Sequence, residues 1–374
     1  MKLLINTSCV LVGGGIQVSK SFIEELLNID SKEYHIVLSN NLKKELKLDR
    51  FPSNFYFYDG LEMSGNFINR IKVAILLNSL EKQIKPDVVF TIFGPSYWKP
   101  KAIHISGYAD GWCYNKDSIA FSILSLKNRL LIKFRVKIKN FFLKNTTDYL
   151  IVETNAAKVN IVRELNFPGD RIFVVGNTCS KVFNEFEAIG RKKIYLHNDV
   201  KYFNLLTLCS FYPHKNLPIL QEVSIELKRR NINNVVFYLT IESEIFSRFF
   251  KDDMSIVNLG PQLLEECPKL FMESDAMILP TLLETFSASY PEAMKMNVPI
   301  LTSDLDFARD ICKDAALYFN PLDPKDIADK IIQIMQNKTL RNHLIQNGRE
   351  RLKIFETSTS RAEKYVHICN RVLN

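Results

Sequence analysis

Two glutamates, Glu284 and Glu292, stand with seven residues between them in the stretch LPTLLETFSASYPEAMKMNVPILTSD, residues 279–304. Pro291 lacks an N–H, so it belongs in a first helical turn. That predicts a helix start near Ser287–Ser289, with the serines as candidate N-caps. Free backbone N–H groups and the positive end of the helix dipole then face the preceding loop and suit a diphosphate. Glu284 lies just before this helix and Glu292 within it. The two carboxylates bracket the site, and carboxylates accept hydrogen bonds from sugar hydroxyls. Spacing alone fits two solvated glutamates around a helix start equally well. Upstream, Cys209-Ser210-Phe211-Tyr212-Pro213-His214-Lys215-Asn216-Leu217 follows an apolar run and opens a helix. Lys215 is there either an ordinary surface charge or a cation set against a phosphate; His214 reads as a loop residue.

The glycine run Gly13-Gly14-Gly15 follows the first apolar segment. A dinucleotide site wants G-x-G-x-x-G and an acid ending the second strand. Only Gly13-x-Gly15 is present, because position 18 is valine, which argues against a nicotinamide enzyme. The six histidines contain no HExxH pair and the seven cysteines no CxxC spacing. No zinc site or disulfide framework is expected, and no other metal or cofactor.

These residues need elements to hold them. Leu3 to Leu11 reads as a first strand and Gln17–Leu27 as a helix, with apolar residues at Val18, Phe22, Leu26 and Leu27. Strands are expected at His35–Leu38, Phe55–Tyr58, Val88–Ile92, Ala102–Ser106 and Tyr149–Glu153, with a helix across Ile68–Gln83. The rhythm restarts with strand Phe203–Cys209, helix Leu217–Arg230, strands Val235–Thr240 and Ser255–Leu259, and helix Gln262–Glu273. Strand Ala276–Leu279, a helix near Ala288–Met296 and strand Pro299–Thr302 follow, then helices Asp326–Gln336 and Leu340–Phe355. Apolar strands separated by helices imply parallel sheets covered on both faces. The expected class is α/β, with two doubly wound units, a boundary near residues 178–200 and Glu185–Asp199 as the linker.

At 374 residues the chain is long enough for two cores, and 47% apolar with 24% charged residues is ordinary for a folded protein. No apolar run approaches the roughly 18 residues of a membrane span. The start reads as a strand and not a signal peptide. With scattered cysteines, a cytoplasmic setting is expected. The net charge of +8 resides in residues 1–175, which hold 24 Lys+Arg against 16 Asp+Glu, while the remainder is balanced at 25 against 25. Between Asp117 and Asp148, Lys127, Arg129, Lys133, Arg135, Lys137, Lys139 and Lys144 occur without one acid. Across residues 119–144 length favours a helix, although Lys133, Arg135, Lys137 and Lys139 alternate as in a strand. The segment is either a core helix with solvated lysines or a helix lying on an anionic membrane surface. No nucleic-acid motif accompanies it.

The stretch 279–304 resembles the E-x7-E signature of family-4 glycosyltransferases, which have the two-domain GT-B fold. Gly260, Ser274-Asp275, Pro280, Glu292-Ala293-Met294, Pro299 and Thr302-Ser303-Asp304 lie where that family has similar residues. Phe307-Ala308-Arg309-Asp310 and Asp314 through Pro321 continue the likeness, which spans roughly residues 200–330. The resemblance implies two Rossmann-like domains facing a central cleft. Residues 1–178 would bind the acceptor and 179–355 the donor, and a final helix within 356–374 would cross back to the first domain. It implies further that Glu292 holds the donor ribose, Glu284 approaches the transferred sugar, and the backbone of Thr285, Phe286, Ser287 and Ala288 faces the sugar and diphosphate. Lys215 would meet the departing β-phosphate, and Gly13, Gly14 and Gly15 would border the cleft. The sequence departs from the family at Thr285 and Ser287, where glycines are usual, and at Cys209, where an arginine is common. The strand-end histidine of many members is also absent, since Gly107-Tyr108 stands there. His104 comes three residues early and reads as a strand histidine satisfied by packing. Asp110, the only acid in that loop, either contacts substrate as a catalytic group or caps a turn with Gly111.

The implied reaction moves a sugar from a UDP- or GDP-sugar to a glycan or lipid-linked oligosaccharide, with retention and no required metal. The implied setting is surface-polysaccharide assembly at the inner face of a membrane, with the basic segment as the anchor. The departures motivate an alternative, a non-catalytic sugar-nucleotide-binding partner of another glycosyltransferase.

Overall fold

The first strand, β1 (Lys2–Asn6), is apolar on both faces: Leu3 and Ile5 enter one core and Leu4 the opposite one. The same division holds in β2 (Glu33–Leu38) and β4 (Val88–Thr91), where Ile36, Leu38, Val88 and Phe90 join the first core and Val37 and Val89 the second. Strands buried on both faces belong to a parallel sheet covered by helices. With β3 (Phe55–Asp59), β5 (Ile103–Gly107), β6 (Tyr149–Val152) and β7 (Ile172–Val174) they form a seven-stranded parallel sheet, order β3-β2-β1-β4-β5-β6-β7.

The computed structural model describes every residue except 12, 30–31, 61–66, 187–195, 197–200, 251–252 and 374, so most of the stretch Glu185–Asp199 read as a linker lies outside the described residues. The chain divides into two compact units. The first comprises Met1–Lys116, Ser125–Asn177 and Glu356–Asn374; the second comprises Asp117–Leu124 and Thr178–Phe355.

The second unit repeats the plan with β8 (Phe203–Thr207), β9 (Val235–Leu239), β10 (Ile256–Asn258), β11 (Ala276–Leu279), β12 (Ile300–Ser303) and β13 (Ala316–Phe319). They form a six-stranded parallel sheet, order β10-β9-β8-β11-β12-β13. Alternate residues again face separate cores, with Leu205, Phe237 and Ile278 on one side and Leu206, Tyr238 and Met277 on the other. Helices Ile219–Arg229 and Pro324–Gln336 cover the first of these faces.

Several elements differ from the sequence reading. The strands β7 and β13 were not expected; they have three and four residues, and their half-buried positions break the apolar run that marks a central strand. The first strand stops at Asn6, whose side-chain oxygen accepts the Ser8 N–H at 3.1 Å and turns the chain. Residues 119–144 resolve into a 3-10 turn, Ile119–Phe121, and a helix, Leu126–Thr146. That helix is no core helix, because Leu126 and Phe134 are 76% and 62% exposed.

The last helix, Ser358–Arg371, packs in the first unit. Tyr365 meets Phe22 and Phe90 edge-on, each at a centroid distance of 5.3 Å. Ser358 and Thr359 hydroxyls donate to the two oxygens of Glu25 at 2.8 Å each.

Candidate functional site

In the second sheet the first strand, β8, and the fourth, β11, lie side by side, with Leu205 opposite Ala276 and Leu206 opposite Met277. The strand order reverses there, because β9 and β10 continue outward from β8 while β12 and β13 continue the other way. Loops leaving the carboxyl ends of two such strands diverge and leave a ligand crevice between them. One loop carries Lys215 and the other Glu284. This is why residues 69 apart in sequence meet.

The first loop ends in a 3-10 turn, Pro213–Lys215, closed by Asn216 in the left-handed region at φ 54°. The Asn216 side chain fixes the turn by donating to the Pro321 carbonyl at 2.8 Å. The two loops are stitched together by backbone. The Leu282 N–H donates to the His214 carbonyl at 2.7 Å, and the Thr281 hydroxyl reaches the same oxygen at 3.2 Å. On this frame the Lys215 ammonium donates to Glu284 Oε1 in a close ion pair, with both side chains only 12% exposed. Thr281 Oγ1 lies 3.4 Å from the same carboxylate oxygen. Burial opposes the lysine charge, but the Glu284 carboxylate outweighs it, and the Lys215 pKa lies above the ordinary lysine value. Cys209 is pushed up to about 11 by burial, so it offers a thiol and no charge where a second cation is usual in the resembling family.

After Glu284 the chain runs through Thr285, Phe286, Ser287 and Ala288 into the helix Ser289–Lys295. No serine caps it. The N-cap position is Ala288, and the Ser289 hydroxyl instead donates to the Leu208 carbonyl at 3.2 Å, tying the helix start to the end of β8. Among the described residues, the N–H groups of Phe286, Ser287 and Ala288 make no hydrogen bond. Phe286 packs edge-on against Phe355. Glu292, on the first turns of the helix, is 7% exposed, and among the described residues nothing donates to its carboxylate. Burial pushes its pKa up to about 7. Buried polar groups are normally hydrogen-bonded. A carboxylate left without a donor, in the helix that follows three unbonded N–H groups, suits a ligand that brings hydroxyls and an anion.

Other sequence candidates sit in the first unit. Gly13, with φ 64°, precedes the helix Gly14–Glu25, of which Gly14 and Gly15 are the first two residues. Asp110 follows β5; its carboxylate accepts the Trp112 N–H at 3.2 Å, capping the turn Gly111–Cys113, and pairs with Lys139 at 2.5 Å. His104 is buried in β5 between the Thr91 hydroxyl, at 2.9 Å, and the Thr146 carbonyl, and burial lowers its pKa to about 4. Thus Lys215, Glu284, Phe286 to Ala288 and Glu292 all belong to the second unit, while Asp110 and the three glycines belong to the first. Sequence reasoning missed Thr281 and Ser118. Ser118 belongs to the segment Asp117–Leu124 of the second unit, and its hydroxyl donates to the Leu282 carbonyl at 3.4 Å. No local pattern joins residues so distant in sequence.

Residues 255–351 match the family described as glycosyl transferases group 1. An uncharacterized glycosyltransferase of Methanocaldococcus jannaschii is 26% identical over 250 residues, 64% of this chain and 66% of the relative. The O-antigen chain mannosyltransferase RfbU of Salmonella typhimurium is 24% identical over 213 residues, 56% of this chain and 54% of the relative. The match thus spans just under two thirds and about half the length of these relatives. A solved glycosyltransferase from Rickettsia africae superposes over 100% of this chain and 98% of its own, with TM-score 0.74 at 16% identity. HepE of Anabaena, solved with UDP and glucose, covers 99% of this chain and 100% of its own, with TM-score 0.67 at 11% identity. The fold is therefore GT-B, two Rossmann-like units, and the second unit carries a glycosyl transferases group 1 region.

Glu292 generates a pH prediction. Its folded pKa of about 7 lies above the ordinary 4.5, so the native state favours the protonated acid. The stabilising proton is fully present below pH 4.5 and lost as pH rises through 7. In ligand-free protein, Glu292→Gln should keep this stability, so the wild type should lose about 3 kcal/mol relative to the variant across that window. Urea unfolding of both at pH 5 and pH 8 measures it; parallel behaviour at the two pH values contradicts the burial argument.

Proposed function

We propose that this protein transfers a sugar from a UDP- or GDP-sugar to a glycan or lipid-linked oligosaccharide, as a retaining, E-x7-E enzyme of family 4 in surface-polysaccharide assembly. The observation that carries the reading is that the loop and helix following β11, at the switch point of the second sheet, hold both a buried Glu292 carboxylate without a donor and the unbonded N–H groups of Phe286, Ser287 and Ala288 among the described residues. The Glu292 carboxylate accepts the ribose hydroxyls, and the loop N–H groups, with the backbone of Thr285, face the sugar and diphosphate. As the glycosidic bond breaks, its electron pair stays on the β-phosphate oxygen, and the Lys215 ammonium stabilises that charge. Glu284 accepts hydrogen bonds from hydroxyls of the transferred sugar. The first unit binds the acceptor, with the Gly13–Gly15 turn and Asp110 as contact points. RfbU, an O-antigen mannosyltransferase, and HepE, bound to UDP and glucose, support the polysaccharide setting and the donor class.

The helix Leu126–Thr146 suits an acceptor held at an anionic membrane. Leu126, Leu130, Phe134 and Phe141 are exposed along one stripe, with exposed Lys127, Lys133, Lys137 and Lys144 around it and exposed Arg135 on the far side of the helix. The helix Phe67–Ile84 adds exposed Ile68, Ile71 and Ile75. Its Arg70 stacks on Tyr97 at 4.2 Å, and Tyr97 packs on Phe142 of the basic helix at 5.0 Å. Among the described residues no helix is long and apolar enough to cross a membrane, so this would be docking at the surface.

Two measurements test these readings. Lys215→Ala and Glu292→Ala should each weaken UDP or GDP binding by roughly ten- to a hundredfold, the loss of a charge-assisted hydrogen bond worth about 1.5–3 kcal/mol. Circular dichroism should show both variants folded; wild-type affinity by calorimetry in both rejects the donor site. Vesicle co-sedimentation should require acidic lipid and fall steeply with salt, because surface charges are screened over about 8 Å at physiological ionic strength. Replacing Lys133, Arg135, Lys137 and Lys144 with glutamine should release the protein while leaving nucleotide affinity unchanged. Lys139 is spared because it holds Asp110. Salt-insensitive binding, or binding that survives the four substitutions, sinks the docking model.

A further inference from the structure

The cation assigned to the phosphate is already occupied. Lys215 gives its charge to Glu284 Oε1, in a pair withdrawn from solvent and steadied by the Thr281 hydroxyl. Among the described residues, the other carboxylate oxygen of Glu284 bonds nothing. A nucleoside diphosphate entering this site must draw Lys215 away. It then leaves Glu284 charged, largely desolvated, without its counter-ion and beside a phosphate of the same sign. Removing one partner of a buried ion pair is strongly destabilising for that reason. A sugar-loaded donor changes the balance, because its hydroxyls supply hydrogen bonds to the carboxylate as its phosphate takes the lysine.

We propose that the Lys215–Glu284 pair is a switch that discriminates loaded donor from spent nucleotide: it opens fully only for a ligand bringing both a phosphate and sugar hydroxyls. This rests on the donor-site reading above and adds a consequence for turnover. Once the sugar has left for the acceptor, Glu284 loses its hydroxyl partners and recaptures Lys215. The diphosphate then shares Lys215 with Glu284, keeping the loop N–H groups and the ribose contact but only part of the lysine charge, and it departs more readily. Glu284 is on this account a specificity-determining residue that lowers the affinity of the product.

A double-mutant cycle read by calorimetry with UDP, and GDP in parallel, tests this on the full chain. Glu284→Gln frees Lys215 and should bind the diphosphate about tenfold more tightly than wild type. Lys215→Gln should bind it more weakly, and adding Glu284→Gln to Lys215→Gln should give little or no gain, because the lysine to be freed is gone. Unchanged circular dichroism and thermal midpoints show that the variants are folded. If Glu284→Gln binds the diphosphate no more tightly than wild type, the switch is rejected. It is rejected also if the gain is equal in both backgrounds, which would mean simple repulsion between carboxylate and phosphate. Wild-type affinity in Lys215→Gln overturns the donor-site reading itself, and the two failures are thereby told apart.

Discussion

The parallel pairing of β8 with β11 is the constraint on which the proposed donor site depends. Two strands far apart in the chain run side by side with their carboxyl ends together, and each must hand its chain to a helix on an opposite face of the sheet. Their loops therefore separate at the sheet edge and can touch only across the gap. The contacts that do cross it are specific: Leu282 to His214 through backbone, Ser289 to Leu208, Thr207 to Ile278, and Lys215 to Glu284 through charge. Without this register the two charges would have no common location, and Glu292 would open the helix after a loop of no particular shape.

Burial then converts geometry into chemistry. The carboxylates of Glu284 and Glu292 lie in the same segment but in different surroundings. One is held beside a lysine, while the other has no donor and is driven toward its neutral form. A ligand that donates hydrogen bonds to Glu292 would repay the desolvation that the empty protein tolerates, so part of the binding energy is stored in the ligand-free state.

Much of this was legible in the sequence, for a physical reason. Strands buried on both faces must be apolar throughout, so β2, β4, β9, β11 and β12 announce themselves, and the restart of the rhythm at Phe203 gives two units. The bracketing of a helix start by Glu284 and Glu292 was legible too, because Pro291 marks the first turn. What escaped are features set by distant packing. β7 and β13 are short and half-exposed. The serine expected to cap the helix Ser289–Lys295 is drawn to Leu208, a contact no local window contains. Residues 117–124 leave the first unit to pack in the second, and nothing in their composition says so. The alternation of 133–139 fitted a strand and the length of the segment a helix; the helix is what forms, capped by Ser125.

A crystal structure of this protein grown with UDP or GDP is the most direct measurement of the central claim. The account predicts the diphosphate against Lys215 and the N–H groups of Phe286, Ser287 and Ala288, with ribose hydroxyls on the Glu292 carboxylate. A nucleotide bound elsewhere in either unit, with Glu292 still without a partner, would contradict it.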